Sequence, residues 1–244
     1  MKKLVLSSLM TVLVSQAAGC IISSGTDGED ALITAQWSLK SLASNQSIPY
    51  PPGVTTAAVY SQEVDASYRP IGQPIIDLFD VEDNAGTTAG LPPSVYQVWV
   101  ELTSEGGSNV HARSLSAYVD VIDTDKTFTT EILEDGGYFQ LAWNLVGAGN
   151  APLTCEQAGL SGGRPSGIYI EAFLANETMA EASDIFDCAD GAGITAGYPA
   201  GDYDVLVDAR VTTEQIAGSA PTIATSVDPR NAVTNLGTVT IPIQ

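Results

Sequence analysis

The sequence predicts an all-β protein in which two tandem antiparallel β-sandwich domains of one repeated type follow an export signal. Three observations lead to this fold class. The first twenty residues have the composition of a signal peptide, the remaining chain contains the same segment twice, and the repeated segments alternate apolar and polar residues. The expected boundaries are residues 1–19 for the signal, 20–30 for a flexible tether, and 31–134 and 137–244 for the two repeats.

The N-terminal segment indicates export. Lys2 and Lys3 precede a mainly apolar run at residues 4–14. This run is too short for a membrane-spanning helix, which needs roughly 20 apolar residues. Small residues then lead directly into Cys20, as expected at a signal-peptide cleavage site.

The Ala-Ala-Gly-Cys that ends at Cys20 resembles the lipobox of bacterial lipoproteins, although Gln16 stands where those signals are usually apolar. The resemblance implies cleavage before Cys20, a diacylglyceryl thioether on its sulfur and acylation of the new amine. These acyl chains would anchor the protein in a membrane. Ile21, which is not Asp, implies the outer membrane. The alternative is an ordinary secretory signal cut near Ala18, with Cys20 left as a free thiol.

Net charge excludes several classes of partner. Beyond residue 19 the chain has 225 residues, enough for one or two domains, with 7 basic and 29 acidic side chains and a net charge of −22. Such a polyanion repels nucleic acid and anionic lipid headgroups alike. We therefore expect no binding to DNA or RNA and no direct binding to phospholipid.

The internal repeat defines the domain organisation. Residues 77–100 align with residues 184–207 at a constant offset of 107, and thirteen of the 24 positions are identical. Trp37 and Trp143 occupy equivalent places in the segments that open the two copies. Only residues 134–137 join the copies, so we expect an end-to-end rod with limited hinge motion.

The two cysteines beyond the signal form a natural disulfide pair. Cys155 and Cys188 both lie in the second repeat, where Cys188 corresponds to Val81 and Cys155 falls near Tyr50 of the first repeat. The first repeat thus lacks both cysteines, as expected for partners in one bridge. In the chain-entropy model a closed loop of about 34 residues stabilises the fold by about 3–4 kcal/mol. Metal ligation is a poor alternative, because the chain's only histidine, His111, lies in the other repeat.

One strand in each repeat shows the alternation most clearly. Its inward positions are apolar in both copies: Tyr96, Val98, Val100 and Leu102, and then Tyr203, Val205, Val207 and Ala209. Asp204, Asp208 and Arg210 are expected on the outer face. Trp99 and Leu206 also point outward, so each either lies under the tether, a loop or the other domain, or marks a partner surface.

These strands resemble known sandwich families. The pattern Leu/Tyr-Pro-x-x-x-Tyr-x-Val-x-Val looks like the penultimate strands of transthyretin-like, carboxypeptidase-regulatory-like and Cna-B-like domains. It also resembles the tyrosine corner of Ig-type domains, which implies that the hydroxyls of Tyr96 and Tyr203 bond to backbone near the start of the strand. With its AWNLVGAG and LGTVTIPI segments, the chain is similar to tandem bacterial lipoproteins of myxobacterial type. This resemblance implies a fold but no activity.

Candidate catalytic motifs are weak. Residues 159–163 match the G-x-S-x-G of α/β-hydrolases, which requires a strand before it, a helix after it and a later histidine. Arg164 and Pro165 follow the motif, and no histidine occurs after His111, so we predict a glycine-rich loop. His111 lies in a polar stretch and is predicted at the surface. We therefore assign no catalytic residues and expect no enzymatic activity.

Acidic side chains cluster in the repeated loops, where Asp80 and Asp83 correspond to Asp187 and Asp190. Carboxylates and turn carbonyls suit Ca²⁺, but the glycine spacing does not match an EF-hand loop. Aspartate and glycine are also ordinary turn residues. A solvated turn is therefore the main expectation, with a calcium site at these four aspartates as the alternative and no other cofactor expected.

These observations favour a membrane-anchored, non-catalytic structural or binding module of the cell envelope, with a protein or glycan partner. The alternative is a protein that recognises a small ligand or carbohydrate, with or without calcium. A cleft with converging polar groups would favour ligand recognition. Flat apolar outer faces would favour assembly or adhesion.

Because Cys20 is the only candidate acyl acceptor, Cys20→Ala is expected to abolish incorporation of radiolabelled palmitate and to disturb signal processing. The measurement is autoradiography of the immunoprecipitated protein, with Cys155→Ser/Cys188→Ser as a control that keeps the label. Continued labelling of the Cys20 variant would contradict the assignment.

Overall fold

The computed structural model describes residues 30–161, 163–175 and 177–244. The predicted signal, most of the tether and Cys20 lie outside the described residues. The described chain contains nineteen strands and four short 3₁₀ turns, which confirms the all-β fold class. In this part of the chain no helix has the length and apolar character of a membrane span.

The first domain consists of nine strands. They are β1 (Ile33–Ser41), β2 (Gln46–Ser47), β3 (Thr56–Val64), β4 (Ile75–Asp80), β5 (Ala85–Thr87), β6 (Val95–Thr103), β7 (Val110–Arg113), β8 (Ala117–Asp120) and β9 (Lys126–Leu133). Its 3₁₀ turns are Val81–Asp83 and Glu105–Gly107.

The second domain consists of ten strands. They are β10 (Gly136–Val146), β11 (Pro152–Leu153), β12 (Gly167–Leu174), β13 (Ala182–Phe186), β14 (Ala192–Ile194), β15 (Tyr198–Pro199), β16 (Gly201–Arg210), β17 (Ile216–Ser219), β18 (Ile223–Val227) and β19 (Ala232–Pro242). Its 3₁₀ turns are Ala148–Asn150 and Cys188–Asp190.

Each domain pairs its strands in two sheets. In the first domain, β1 lies between β2 and β5 on one side and β9 on the other, and the second sheet has the order β4-β3-β6-β7, with β8 also paired to β6. In the second domain, β10 pairs with β11, β14, β15 and β19, and the second sheet has the order β13-β12-β16-β17, with β18 also paired to β16.

All these pairs are antiparallel except β1 with β9 and β10 with β19, which are parallel. Each parallel pair joins the first and last strands of a domain. A parallel pair needs a long crossover connection, and here the whole second sheet supplies it.

The predicted alternation places the core between the two sheets of each domain. The buried apolar side chains form two separate clusters, one in each domain. All inward residues predicted on β6 and β16 are buried: Tyr96, Val98, Val100, Leu102, Tyr203, Val205, Val207 and Ala209. Each domain therefore has its own core, with the opposite face of each sheet left for solvent or partners.

The predicted tyrosine corners are present in both domains. The Tyr96 hydroxyl donates to the carbonyl of Pro92 at 3.1 Å, and the Tyr203 hydroxyl donates to the carbonyl of Pro199 at 2.9 Å. Burial is the main cause that raises the pKa of each tyrosine to about 12. Both phenols therefore stay neutral donors at physiological pH.

A disulfide joins Cys155 to Cys188, with their Cα atoms 5.9 Å apart. Cys155 lies in a turn after β11, in which Thr154 and Gln157 have the spacing of a capping box. The backbone N–H of Thr154 donates to Oε1 of Gln157 at 2.9 Å, and the N–H of Gln157 donates to Oγ1 of Thr154 at 3.2 Å. The bridge thus ties this turn to the 3₁₀ turn that begins at the buried Cys188.

Reduction of Cys155–Cys188 is expected to lower the free energy of unfolding of the second domain by about 2–4 kcal/mol. Hydrogen exchange of the full chain, followed by mass spectrometry with and without dithiothreitol, should show faster exchange across β10–β19 and little change across β1–β9. Equal acceleration in both domains, or two free thiols in the oxidised protein, would contradict the selective role of the bridge.

Candidate functional site

The repeated acidic loops are 3₁₀ turns capped by their own aspartates. The Asp80 carboxylate accepts a hydrogen bond of 3.0 Å from the backbone N–H of Glu82. In the second domain, Asp187 accepts an equivalent bond of 3.0 Å from Ala189. These carboxylates therefore satisfy backbone donors at the start of each turn.

A tryptophan from the opening strand of each domain anchors the same turn. Nε1 of Trp37 donates to the carbonyl of Val81 at 3.0 Å, and Nε1 of Trp143 donates to that of Cys188 at 3.0 Å. Val81 and Cys188 are both buried. The matched tryptophans of the sequence repeat thus hold matched turns.

Other identical positions of the repeat also serve the fold. The Asp77 carboxylate accepts a hydrogen bond from the N–H of Ala89 at 3.2 Å, and Asp184 accepts the equivalent bonds from Ala196. A Cβ at Gly86 would overlap the ring of Phe79, and the second domain repeats this close approach. The repeated motif is therefore explained by folding.

The structure does not assemble the alternative calcium site. Among the described residues no group of three or more His, Cys, Asp or Glu side chains could hold a metal ion. Of the four aspartates considered for calcium, Asp80 and Asp187 bond to backbone N–H groups. Asp80 and Asp187 are therefore explained as turn caps, whereas a cation site that includes Asp83 and Asp190 stays a prediction.

The outer face of the β4-β3-β6 sheet carries a row of large apolar side chains. Residues paired directly across neighbouring strands share a face. One row on this face contains Ile76, Tyr60 and Trp99, and the next contains Leu78, Ala58, Glu101 and Arg113. Tyr118 of β8 lies on the same face. The ring of Tyr68 packs against the ring of Tyr118, with their centroids 4.6 Å apart. We call Tyr60, Tyr68, Ile76, Leu78, Trp99 and Tyr118 the apolar face.

Trp99 is covered by side chains of its own domain. Its ring stacks on that of Tyr60 at 4.8 Å, and the guanidinium of Arg113 lies 4.3 Å from its centroid. Its Nε1 donates to Glu101 at 3.3 Å, and only 9% of the residue is exposed. Among the described residues the covering side chain is Arg113 on β7, which is not one of the coverings that the sequence suggested.

The rest of the apolar face is open to solvent. Ile76 is 49% exposed, Leu78 is 54% exposed and Tyr118 is 52% exposed. These large side chains lie around Tyr60 on one side of one sheet. Several exposed apolar side chains on one sheet face are typical of a binding surface, whereas singly scattered ones are ordinary.

The equivalent face of the second domain has a different character. Its row contains Ser183, Glu171 and Leu206 where the first domain has Ile76, Tyr60 and Trp99. Leu206 is half-buried. Three large side chains of the first domain thus correspond to a serine, a carboxylate and a smaller apolar residue.

Arg210 organises this second face. It donates to Glu171 at 2.8 Å and to Asp208 at 2.7 Å, and its guanidinium lies 4.7 Å from the ring centroid of Tyr169. Burial lowers the pKa of Arg210, but the bonds to Asp208 and Glu171 outweigh it and raise that pKa. Asp208 lies on the outer face, as predicted, yet it is buried, because Arg210 bonds to it there.

The junction between the domains is built around Asp135. Its carboxylate accepts hydrogen bonds from the Ser41 hydroxyl at 2.6 Å and from the backbone N–H groups of Leu42 at 2.6 Å and Ala43 at 3.2 Å. Its backbone carbonyl accepts a bond of 2.9 Å from the N–H of Ala200 in the second domain. One residue is therefore bonded to both domains.

Asn231 closes the junction from the other side. Its Oδ1 accepts from the N–H of Leu133 at 2.7 Å, and its Nδ2 donates to the carbonyl of Arg113 at 2.8 Å. The backbone N–H of Arg230 donates to the carbonyl of Glu134 at 3.0 Å. These bonds across the junction oppose hinge motion between the domains.

His111 belongs to this junction. The prediction of a surface histidine is wrong, because its side chain is only 14% exposed and its Nε2 lies 2.8 Å from the Glu134 carboxylate. The contact between His111 on β7 and Glu134 joins residues that are 23 positions apart, so the polar sequence around His111 does not indicate it. Ser161 of the G-x-S-x-G match lies in an exposed turn of the other domain, so the structure does not bring these two residues together.

Three clefts flank these elements. The largest, of about 580 Å³, lies in the second domain between β18 and β19 and has apolar and neutral polar side chains. Two smaller clefts, of about 440 and 270 Å³, lie at the junction, and Arg230 lines both of them. Charged side chains thus line the junction clefts but not the largest cleft.

No family model and no curated protein matches the chain. The resemblance to tandem lipoproteins of myxobacterial type therefore stays a prediction.

The solved structures that match the chain include two bacterial pilins and a protein described as a cell adhesion protein. The minor pilin GBS52 of Streptococcus agalactiae is 13% identical with a TM-score of 0.30, over 88% of this chain and 96% of the pilin. The shaft pilin SpaA of Lactobacillus rhamnosus is 7% identical with a TM-score of 0.26, over 88% and 98%. A protein of Bacteroides ovatus described as a cell adhesion protein is 8% identical with a TM-score of 0.30, over 88% and 96%. At these TM-scores the similarities carry no functional assignment.

Asp135→Asn is expected to destabilise the junction by about 1 kcal/mol, because an amide nitrogen would face backbone donors and the carboxylate is partly exposed. Burial raises the pKa of Asp135, but its hydrogen bonds with Ser41, Leu42 and Ala43 outweigh this and lower that pKa below 3.8. The stabilisation is therefore present above the unfolded-state pKa and is lost as the pH falls through the lower folded-state pKa.

Thermal unfolding measures this effect. The difference between wild type and Asp135→Asn should be present at pH 7 and should shrink once the pH falls below about 4. Asp83→Asn is the matched control, since it removes the same charge from an exposed aspartate that does not belong to the junction. A difference that persists unchanged at low pH would show that the carboxylate charge is not the cause.

Proposed function

We propose that the protein is a lipid-anchored, non-catalytic module of the bacterial envelope that binds another protein through the apolar face of its first domain. The observation that carries this proposal is the contrast between the two copies. Ile76, Tyr60 and Trp99 in the first domain correspond to Ser183, Glu171 and Leu206 in the second. Because the second copy folds with only one apolar side chain, Leu206, at these three positions, the large apolar side chains of the first domain are not required by the fold.

The exposed side chains favour a protein over a glycan. Sugars stack on free aromatic ring faces, but Trp99 is covered by Arg113 and Tyr60. Ile76 and Leu78 are both exposed and aliphatic, and they lie side by side on the edge strand β4. Aliphatic and aromatic side chains on a flat surface match the core of a protein–protein interface.

The partner is a different protein, and we expect it to carry basic residues. Two copies of this chain would each contribute a net charge of −22 once residues 1–19 are removed, so self-association is opposed by charge repulsion. A partner with basic residues around an apolar patch would instead be attracted at long range.

The anchor would place the first domain nearest the membrane. The described chain enters the first domain at Asp30, and β1 then runs from Ile33 to Ser41, beside Asp135 at the junction. A tether of ten residues reaches at most about 35 Å. The apolar face would thus lie close to the outer membrane, with the second domain farther from it.

Site-specific photocrosslinking in living cells tests the proposal. A benzophenone amino acid at Tyr118, on the apolar face, should give a discrete adduct with one protein. The same amino acid at Met179, an exposed position of the second domain, should not. Identical adducts from both positions, no adduct from Tyr118, or an adduct with a second copy would overturn the proposal.

Substitutions that copy the second domain then test the surface itself. Ile76→Ser removes an exposed side chain, so the fold should be retained, and Tyr60→Glu introduces the residue found at the equivalent position. Either change should weaken binding of the purified crosslinked partner by at least about tenfold, which corresponds to about 1.4 kcal/mol. Ile216→Ser, at an exposed position of the second domain, is the matched control and should leave the affinity unchanged.

A further inference from the structure

Basic side chains are scarce in this protein, yet several meet at the junction. The chain has nine lysines and arginines against 29 acidic residues, and a single histidine. Arg113 lines the larger junction cleft, His111 lines the smaller one, and Arg230 lines both. His111 is engaged by the Glu134 carboxylate, and the Arg113 guanidinium lies with its face on the Trp99 ring, which leaves the N–H groups at its edge available.

Arg230 is held in place by the junction. Arg230 and Asn231 adopt left-handed backbone conformations, with φ of 65° and 63°, which non-glycine residues rarely do. Backbone bonds to the carbonyls of Glu134 and Gly136 fix this turn. Two consecutive strained residues persist only where surrounding contacts enforce them, and such strain clusters at functional sites.

The guanidinium groups of both arginines have unused donors. Among the described residues, no carboxylate lies within 4 Å of the Arg230 guanidinium. Glu101 lies 3.9 Å from Nε of Arg113, which is beyond hydrogen-bond distance. A guanidinium carries five N–H donors in a planar fork that matches a carboxylate.

The larger junction cleft offers more than positive charge. Its volume is about 440 Å³, and Arg113 and Arg230 line it together with Ser116 and Gln140. Apolar side chains, including those of Ile194 and Val233, complete its wall. Cationic, neutral polar and apolar groups in one cleft of this size suit a small polar ligand that also has a C–H surface.

We propose that this cleft binds an acidic saccharide, with its carboxylate between Arg113 of the first domain and Arg230 of the second. Ser116 and Gln140 bond to sugar hydroxyls, and the apolar wall contacts the C–H face of the ring. The negative net charge does not prevent this, because at physiological ionic strength charges farther than about 8 Å are largely screened. The ligand would bridge the two domains, and its site adjoins the apolar face, because Arg113 also covers Trp99.

Titration calorimetry of the full mature chain tests the site, with trigalacturonate as the probe. Neutral galactose oligomers and inorganic phosphate serve as comparison ligands at equal ionic strength. We expect trigalacturonate to bind and both comparison ligands to bind at least about tenfold more weakly. Equal binding of phosphate would reduce the site to a general oxyanion site and overturn the saccharide assignment, as would no binding of trigalacturonate at millimolar concentration.

Two arginine variants locate the binding. Arg230→Gln keeps the length and polarity of the side chain and should weaken trigalacturonate binding by at least about tenfold. Arg69→Gln makes the same change of charge on a distant loop of the first domain and should leave binding unchanged. An equal loss in both variants would show non-specific attraction and overturn the proposal. Unfolding temperatures of both variants without ligand establish that neither change disrupts the fold.

Discussion

The Asp135 carboxylate is the interaction on which the arrangement of the two domains depends. β9 ends at Leu133 and β10 begins at Gly136, so only two residues connect the domains. A short connection limits separation but not rotation. The carboxylate removes that freedom, because it accepts three hydrogen bonds from the β1–β2 turn while its own carbonyl is bonded by the second domain. The junction clefts exist only because this orientation is held.

Divergence between the two copies separates folding from recognition. Positions that are identical, such as Asp77 and Gly86, satisfy a backbone donor or make room for a neighbouring ring. The positions that differ most in character lie on the outer sheet face, where Tyr60 and Ile76 correspond to a glutamate and a serine. A repeat under no constraint except folding would drift on this face towards ordinary polar residues, as the second copy has.

Sequence reasoning recovers what is local or repeated. The alternation of apolar and polar residues around Tyr96 predicts a buried face, because this pattern lies within one segment. Cys155 and Cys188 are predicted to form a bridge, because comparison of the two repeats shows that one has both cysteines and the other has neither. It misses contacts that depend on distant pairing. The parallel pairing of β1 with β9, the covering of Trp99 by β7 and the burial of His111 are each set by chain segments far away in sequence. Asp228, Pro229 and Asn231 indicate a turn around Arg230, but they do not indicate that this turn lies at the domain junction.

The two domains fasten the equivalent 3₁₀ turn by different chemistry. In the first domain the Tyr50 hydroxyl donates to Oδ1 of Asn84 at 2.6 Å, which ties the segment before β3 to the end of the anchored 3₁₀ turn. In the second domain the Cys155–Cys188 bridge makes the equivalent tie to the matching turn. A hydrogen bond opens reversibly at a net cost of about 1 kcal/mol, whereas a disulfide does not open under oxidising conditions. The second domain therefore has the covalent bond. It is also the domain that we propose lies farther from the membrane and from the lipid anchor.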